Sequence, residues 1–419
     1  MIENNKKIYK GKKIVFLSSL IPEEMNEEVS NKMKNGMPDA ANLLQWHLIE
    51  GLSYNFQTNI DLVNVLPISS YPRNYDDLVI KKERFYTKYG NNNINIGFLN
   101  LKGVRNYSIE RNVYRVLISM FAGYDSGVLF VYTLSASLLN AIKKFNRIYT
   151  NIHVCAIVAD LPSMNDLSGK SGFINKLANR ILAESSYKNI TYVNSFVLLT
   201  QQMAEYLQIN KPYCIVEGIA TILDKNRKTD TDFNSDKDIK TILYTGTLHK
   251  KFGILNLVQA FKNTTNENYR LQICGVGDCE DEIIEATKKD ARICYLGKVN
   301  HDKILELQSA ATVLVNPRQN NESFTKYSFP SKNLEYLSSG NPLIAYMLDG
   351  IPLEYKNYII SPKDDSIKAL TDVIEEICQL SFLERKEIGL KGRDYVTREK
   401  NSKKQTKKIM DMINDMREV

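Results

Sequence analysis

A glycine-containing turn between a strand-like run and a helical pattern is the first place where the residue types suggest a chemistry. Gly246 and Thr247 follow the apolar run Ile242 to Tyr244, and Lys250 and Lys251 come shortly after them. Glycine lets a backbone approach a phosphate closely, and a helix start offers free amides and the positive end of a dipole. The pattern suits a diphosphate group, although an ordinary turn followed by two solvated lysines fits it equally well.

Two similar patterns lie downstream. Gly275 and Gly277 follow another strand-like run. Pro330 suits the first turn of a helix and Ser331 can cap it, which predicts a helix that begins near Ser331. Glu335 would then lie one turn along, close enough to the helix N-terminus to face a ligand; the alternative is a solvent-facing helix glutamate.

These patterns belong to a long alternation of strand-like and helix-like segments. Strands are predicted at 12–18, 60–66, 127–132, 152–158, 195–199, 241–244, 270–274, 293–295, 312–315 and 342–345. Helices are predicted at 39–52, 254–261, 301–310 and 331–337. Such alternation predicts an α/β fold with parallel sheets. A charged stretch at 221–240 separates the two sets, so we expect two Rossmann-like domains facing a central cleft, where such sheets bind ligands.

Length and composition agree with two globular domains, since the 419 residues are 43% hydrophobic and 25% charged. No apolar run reaches the roughly 20 residues of a membrane-spanning helix, and residues 1–5 lack the apolar core of an export signal. A cytoplasmic location is therefore expected. The net charge of +7 is dispersed and accompanies no nucleic-acid motif. It favours an anionic ligand or an anionic membrane surface, unless it is simply a lysine-rich surface.

The sequence shows no pattern for a metal site. Its six cysteines are scattered and fit buried reduced thiols, and Cys274 and Cys279 lack metal-ligand spacing. The four histidines lie far apart. We therefore expect neither a metal nor a cofactor.

Four landmarks over about residues 242–345 resemble the donor-binding half of the family 4 retaining glycosyltransferases. They are the turn at Gly246, the segment Gly275-Val276-Gly277, the segment Tyr295-Leu296-Gly297, and the run from Ser328 to Ile344. The resemblance implies a metal-independent enzyme of the GT-B fold. Such an enzyme moves a sugar, with retention, from a nucleotide-diphosphate sugar to a saccharide or lipid-linked acceptor.

The same resemblance implies a domain arrangement. Residues 1–222 would form the acceptor domain, and 223–395 the nucleotide-sugar donor domain. The last segment, 396–419, is expected to form a helix that packs back on the first domain. An AT-rich codon bias, suggested by the many Lys, Asn and Ile residues, is compatible with bacterial surface polysaccharide synthesis.

The resemblance also implies roles for individual residues. The glutamate at the position of Glu335 binds the ribose hydroxyls of the donor, because a carboxylate accepts two hydrogen bonds from a vicinal diol. The diphosphate would lie at the Gly246 turn, with Lys250 and Lys251 as catalytic cations. The other implied donor contacts are Thr247, Gly275, Gly277, Tyr327, Ser328, Phe329, Ser331 and Lys332.

The chain departs from the family pattern at three positions. Tyr327 stands where the first of two motif glutamates is expected, and Glu322 is the nearest upstream carboxylate. The family's basic residues after the first glycine would fall at Thr247 and Phe252. The candidates for the missing positive charge are Lys250, Lys251 and Lys332.

The first half offers fewer candidates. Asp160 follows the apolar run 152–158 and would contact the acceptor or the transferred sugar, unless it only caps a turn. Gly36 precedes a predicted helix and resembles the family's glycine-rich loop over the donor phosphates, with one glycine of the usual pair. Trp46 and His47, on that helix, are predicted to pack in the core.

A basic amphipathic pattern covers 170–188, where Lys170, Lys176, Arg180 and Lys188 flank apolar residues. It predicts either a core-facing helix or peripheral contact with an anionic membrane.

Two other functions stay open on the sequence. A sugar-nucleotide epimerase could use the same pair of domains, but it needs several ionisable groups and the chain has few histidines. A non-catalytic GT-B partner protein would explain why Tyr327 replaces the motif glutamate.

Overall fold

The computed structural model describes residues 11–34, 36–161, 173–221 and 239–416, except for the side chains of 173–179. The chain divides into two compact units, of which one contains Met1–Ile219 and Ser402–Val419 and the other Ala220–Asn401. The unit boundaries therefore lie at 219/220 and 401/402, against the predicted 222/223 and 395/396. Most of the predicted linker at 221–240, the N-terminal residues 1–5 and Lys170 lie outside the described residues.

The first unit is built on strands β1 Lys13–Ser18, β2 Asp61–Asn64, β3 Val79–Ile80, β4 Glu83–Arg84, β5 Ile94–Asn95, β6 Phe98–Leu99, β7 Gly127–Tyr132, β8 Ile152–Val158, β9 Ser195–Leu198 and β10 Tyr213–Ile215. Eight of them form one sheet of order β10-β9-β8-β7-β1-β2-β5-β4. Its pairs are parallel except β5 with β4. The strands β3 and β6 form a separate antiparallel ribbon.

The helices in the Met1–Ile219 part of the first unit are α1 Asn26–Lys32, α2 Asp39–Phe56, α3 Arg105–Phe121, α4 Ala136–Phe145, α5 Phe173–Asn189 and α6 Gln201–Tyr206. Strands β1, β7 and β8 are almost continuously apolar because their residues are buried on both sides of the sheet. Leu48 and Leu52 of α2 belong to the same hydrophobic core, and Trp46 packs against it as predicted. Burial lowers the pKa of His47, the neighbouring residue on this helix.

The second unit alternates strands with helices more regularly. Its strands are β11 Lys240–Thr245, β12 Tyr269–Cys274, β13 Ile293–Gly297, β14 Val313–Asn316 and β15 Leu343–Ala345. Its helices are α7 Ile254–Lys262, α8 Glu280–Lys289, α9 His301–Ala310, α10 Ser331–Ser339, α11 Ile367–Gln379 and α12 Phe382–Glu399. The five strands are parallel, in the order β13-β12-β11-β14-β15. The predicted α/β class with parallel sheets is confirmed.

The strand order reverses direction between β11 and β14. From β11 the chain adds β12 and β13 on one side, and then crosses back to add β14 and β15 on the other. In open α/β sheets, ligands bind outside the carboxyl ends of the strands at such a switch point. The fold therefore predicts a ligand site at the residues that follow β11 and β14.

The last helix, α13 Ser402–Asp415, belongs to the first unit. It packs on α2, where a Cβ atom added at Gly51 would lie 2.2 Å from the carbonyl oxygen of Ser402. The Asn55 side-chain amide donates to Thr406 Oγ1 at 2.7 Å. Ile409 and Ile413 are fully buried in the core that α2 also lines.

Candidate functional site

The turn at Gly246 follows β11 and lies directly against the turn that follows β12. The Gly246 amide donates to the carbonyl of Cys274, the last residue of β12, and the Leu248 amide donates to the Val276 carbonyl in the second turn, each at 2.9 Å. A Cβ atom added at Gly275 would lie 1.8 Å from the Gly246 oxygen, and one added at Gly277 would lie 2.3 Å from the Leu248 oxygen. The two turns can touch only because positions 275 and 277 carry no side chain, so both glycines shape the Gly246 turn.

Gly275→Ala is expected to lower the free energy of unfolding by about 3 kcal/mol and to weaken nucleotide binding, because the methyl group must displace the Gly246 backbone. Gly297→Ala is the matched control. Both glycines have a positive φ, +140° at Gly275 and +64° at Gly297, but an added Cβ at Gly297 meets no atom within 4 Å. The control should lose only about 1 kcal/mol. Equal losses in urea unfolding would contradict the close approach of the two turns.

Lys250 and Lys251 lie in a short 3₁₀ helix, Lys250–Phe252, which His249 caps by accepting from the Lys251 amide at 3.1 Å. The Lys250 ammonium lies 2.8 Å from Glu282 and its side chain is 58% exposed. This hydrogen bond raises the pKa of Lys250. The Lys251 ammonium lies 3.7 Å from Glu322, with 37% of its side chain exposed. Both cations are thus beside the turn, and each has a carboxylate that an anionic ligand would have to replace.

Glu335 lies on α10 beside the end of β11. Its carboxylate accepts a hydrogen bond from the Gln308 side-chain amide, which also donates to Thr245 Oγ1 at 3.0 Å. Lys332 donates to both Glu335 oxygens, at 3.2 and 3.3 Å. The Glu335 side chain is 22% exposed. The structure thus brings the sequence-predicted Glu335 and Lys332 close to the strand end that leads into the Gly246 turn.

The segment that leads into α10 differs from the prediction in two details. Pro330 occupies the N-cap position and Ser331 is the first helical residue, so the prediction that Ser331 caps the helix was wrong. A proline there has no side-chain acceptor, and no side chain caps this helix. Phe329 is only 7% exposed and packs against Tyr355, with ring centroids 5.3 Å apart. Its side chain is part of the core, so only its backbone could meet a ligand.

Ser328 and Tyr327 are partly exposed, and Ser328 has a partner that the sequence motifs did not identify. Its hydroxyl accepts a hydrogen bond from the Arg318 guanidinium, at 2.8 Å. Arg318 comes two residues after β14, on the other side of the switch point from Gly246. The signal that could have found it is a basic residue directly after a buried strand.

In the first unit, Asp160 follows β8, and its carboxylate is less well solvated than an ordinary surface carboxylate. Its side chain reaches the surface but is crowded by protein atoms, and this desolvation raises its pKa. Tyr132, at the end of the adjacent β7, has a buried hydroxyl without a hydrogen-bond partner. Burial, with a smaller contribution from the charge of Asp160, raises the pKa of Tyr132 well above its usual value. The two side chains therefore share one carboxyl edge of this sheet.

Gly36 is exposed, and a Cβ atom added there would meet no atom within 4 Å. Nothing in the described structure therefore requires glycine at this position. On α5, Ile181 and Leu182 are exposed and Arg180 pairs with Glu184 at 3.1 Å, so these two apolar residues do not form the core-facing stripe that was one of the two interpretations. The Lys176 side chain lies outside the described part.

Within the described ranges, no group of three or more His, Cys, Asp or Glu side chains could hold a metal ion. None of the described helices is both long enough and apolar enough to cross a membrane.

Comparison with known proteins adds a family match for part of the chain and a fold. Residues 225–395 match the family of glycosyl transferases group 1. No curated protein matches the chain.

Solved structures match nearly the whole length of the chain. Sucrose-phosphate synthase from Thermosynechococcus elongatus is 14% identical with a TM-score of 0.64, over 97% of this chain and 99% of that one. A structure described as trehalose-6-phosphate from E. coli bound with UDP-2-fluoro glucose is 10% identical with a TM-score of 0.61, over 96% and 99%. An α,α-trehalose-phosphate synthase (UDP-forming) from Burkholderia xenovorans, in complex with glucose-6-phosphate, is 11% identical with a TM-score of 0.62, over 96% and 100%.

At these identities the likeness shows the fold alone, which is GT-B. The family match covers the segment in which the Gly246 turn, Arg318 and Glu335 surround the switch point. Residues 225–395 thus carry the match to the glycosyl transferases group 1 family. The chain is a glycosyltransferase.

Proposed function

We propose that this chain transfers a sugar from a nucleotide-diphosphate sugar to a saccharide or lipid-linked acceptor, with retention, in bacterial surface polysaccharide synthesis. The observation that carries the proposal is the switch-point edge of the second unit, where the Gly246 turn, two lysines and Glu335 lie inside a group 1 domain. A structural neighbour was solved with UDP-2-fluoro glucose and another with glucose-6-phosphate. UDP-glucose and a sugar phosphate are therefore the first donor and acceptor to test.

The proposed chemistry depends on charge that develops on the leaving diphosphate. As the glycosidic bond breaks, negative charge grows on the oxygen that departs, and cations and backbone amides aimed at it stabilise the transition state. Lys250, Lys251 and the amides around Gly246 are the groups that we assign to this task. Glu335 would hold the ribose. In this proposal no step uses a metal ion.

Asp160 is the residue of the first unit that we propose to contact the acceptor or the transferred sugar. Its position after β8, beside the buried Tyr132 hydroxyl, supports a polar ligand at this sheet edge. Contact with an anionic membrane stays a prediction, which the exposed Ile181 and Leu182 on α5 support.

The proposal is tested with a panel of UDP-, GDP- and dTDP-sugars, incubated with and without acceptors that include glucose-6-phosphate and lipid-linked sugars. Sugar transfer that requires an acceptor and continues in EDTA is the expected result. An anomeric proton spectrum of the product then determines whether the configuration is retained. Conversion of the donor alone would favour the epimerase, and no reaction with any combination would favour the non-catalytic partner protein. Loss of activity in EDTA, restored by Mg²⁺ or Mn²⁺, would contradict the metal-free mechanism.

Asp160→Asn is expected to lower turnover about tenfold, the effect of one lost charged hydrogen bond. Because desolvation raises the Asp160 pKa, turnover of the wild type should rise with pH through a midpoint above that of an ordinary carboxyl, and this rise should vanish in the variant. The free energy of unfolding depends on pH in the opposite direction to turnover. The folded state holds the Asp160 proton more tightly than the unfolded state, so stability falls as pH rises through the raised pKa.

The variant should accordingly unfold at a temperature equal to or above that of the wild type at pH 7. Asp125→Asn is the control, since Asp125 is exposed just before β7, at the amino edge of the same sheet. If both variants keep the pH profile and turnover of the wild type, Asp160 is a surface turn residue.

A further inference from the structure

Arg318 is a partly buried cation of the second unit that forms no ion pair with any described carboxylate. The guanidinium is half-buried, and its Nε is fully buried without a hydrogen-bond partner. None of the ion pairs among the described residues includes Arg318. Its side-chain hydrogen bond within the described part of the chain runs from Nη2 to the neutral hydroxyl of Ser328, at 2.8 Å. Burial lowers the pKa of Arg318 to about 10, and the charge of Glu322 opposes this effect in part. This pKa is still above physiological pH, so the guanidinium is charged, and no carboxylate of the described residues forms an ion pair with it.

Two aromatic rings lie beside this guanidinium. Arg318 Cζ lies 5.4 Å from the ring centroid of Phe252 and 4.8 Å from that of Phe324. Contacts of this kind hold a guanidinium in place without using its N–H groups. Arginine presents five N–H donors in a rigid fork that matches the oxygens of a phosphate. Among the described residues, most of these donors have no protein acceptor.

Arg318 also adjoins the proposed diphosphate site. The segment 317–318 lies against the end of the turn, since a Cβ atom added at Gly253 would be 2.2 Å from the Pro317 oxygen. Burial raises the pKa of Tyr244, and the charge of Arg318 opposes that rise. The Tyr244 hydroxyl in turn donates to the Thr247 carbonyl, at 2.8 Å.

We propose that Arg318 is a diphosphate-binding residue of the donor site, reaching the anion from β14 while the Gly246 turn reaches it from β11. The inference rests on the proposed function and names a contact that the sequence motifs do not contain. Burial of a charge without a partner is unfavourable, and an anion that accepts from the guanidinium fork offsets that cost. The two aromatic rings supply the orientation, and Ser328 holds Nη2.

The test compares two ligands by calorimetry, inorganic pyrophosphate and the nucleoside diphosphate of whichever donor sugar the panel identifies. Arg318→Gln should weaken both about 10- to 100-fold, the loss of a charged hydrogen bond or pair of them. Glu335→Ala should weaken only the nucleoside diphosphate, because pyrophosphate has no ribose. Arg292→Gln is the matched control: it also stacks on a ring, with Cζ 5.0 Å from the Phe261 centroid, but it pairs with Asp290 at the opposite sheet edge. It should change both affinities less than twofold.

The outcomes separate this inference from the proposed function. If Arg318→Gln binds pyrophosphate and the nucleoside diphosphate as tightly as the wild type does, the inference is overturned and the proposed function stays intact. This holds whether or not the melting temperature of the variant is lower, since Arg318 would then only support the packing of the two rings. A wild type that binds pyrophosphate through Arg318 but no nucleoside diphosphate would overturn the proposed function and keep the anion site. If Arg318→Gln does not fold, the pyrophosphate affinity of Arg318→Lys tests the inference instead. The lysine variant keeps the charge without the fork and must bind pyrophosphate at least about fivefold more weakly; equal binding overturns the inference.

Discussion

Replacing Lys250 and Lys251 together by alanine is expected to lower turnover by about 10²-fold and to leave the donor Michaelis constant almost unchanged. Charge on the departing oxygen grows only as the glycosidic bond breaks, so these cations should act on the transition state more than on bound donor. Steady-state kinetics at saturating acceptor measure the two parameters separately.

The two single variants should differ. Lys251 is the less exposed of the two, and its ammonium is 3.7 Å from Glu322, whereas that of Lys250 is 2.8 Å from Glu282. The longer ion pair is the easier one to exchange for a phosphate oxygen, so Lys251→Ala should have the larger effect.

Lys288→Ala is the control for these variants, because Lys288 is an exposed lysine of the same unit that pairs with Glu285. Exposed ion pairs contribute little, so its turnover should change less than about twofold. Near-normal turnover in Lys250→Ala, Lys251→Ala and the double variant alike would mean that the diphosphate binds elsewhere.

Glu335→Ala should weaken nucleotide binding roughly 10- to 150-fold without unfolding the protein, because a lost charged hydrogen bond costs about 1.5–3 kcal/mol. The carboxylate already accepts from Gln308 and Lys332, which holds it in one orientation beside β11. Calorimetric titration with the nucleoside diphosphate of the active donor measures the effect.

The chain offers a closely matched control in Glu306→Ala. Glu306 also pairs with a lysine three residues before it, Lys303, but its side chain is 66% exposed and that of Glu335 is 22% exposed. The control variant should bind nucleotide as the wild type does. Equal affinity in both variants would remove Glu335 from the donor site.

Local elements were predictable because their pattern is local. Strands β7 and β8 and helix α9 begin and end at the predicted residues. The two strands are buried on both sides and so consist of apolar runs, while α9 has a regular helical pattern and an Asn300 cap that accepts from the Lys303 amide. The alternation of such elements was enough to predict the α/β class with two Rossmann-like domains, whereas the GT-B fold was implied by the family resemblance.

Contacts between distant segments were not predictable from one sequence. Gly275 and Gly277 were predicted only as donor contacts, which stays a prediction, and the sequence did not indicate that they also make room for the Gly246 and Leu248 carbonyls. Phe329 lies within the motif run, yet its ring packs in the core against Tyr355. A residue type shows what a side chain can do, but its neighbours across the fold decide what it does.

The sequence by itself determined the five strands of the second unit, the turn after β11 and the helix that carries Glu335, because each depends on residues only a few positions apart. Only the tertiary structure decided the order of the strands, and with it the switch point between β11 and β14. That order brings Arg318 to the turn at Gly246, some 70 residues earlier in the chain. A buried guanidinium without a carboxylate partner cannot be recognised in a sequence, because burial and pairing are properties of the packed chain.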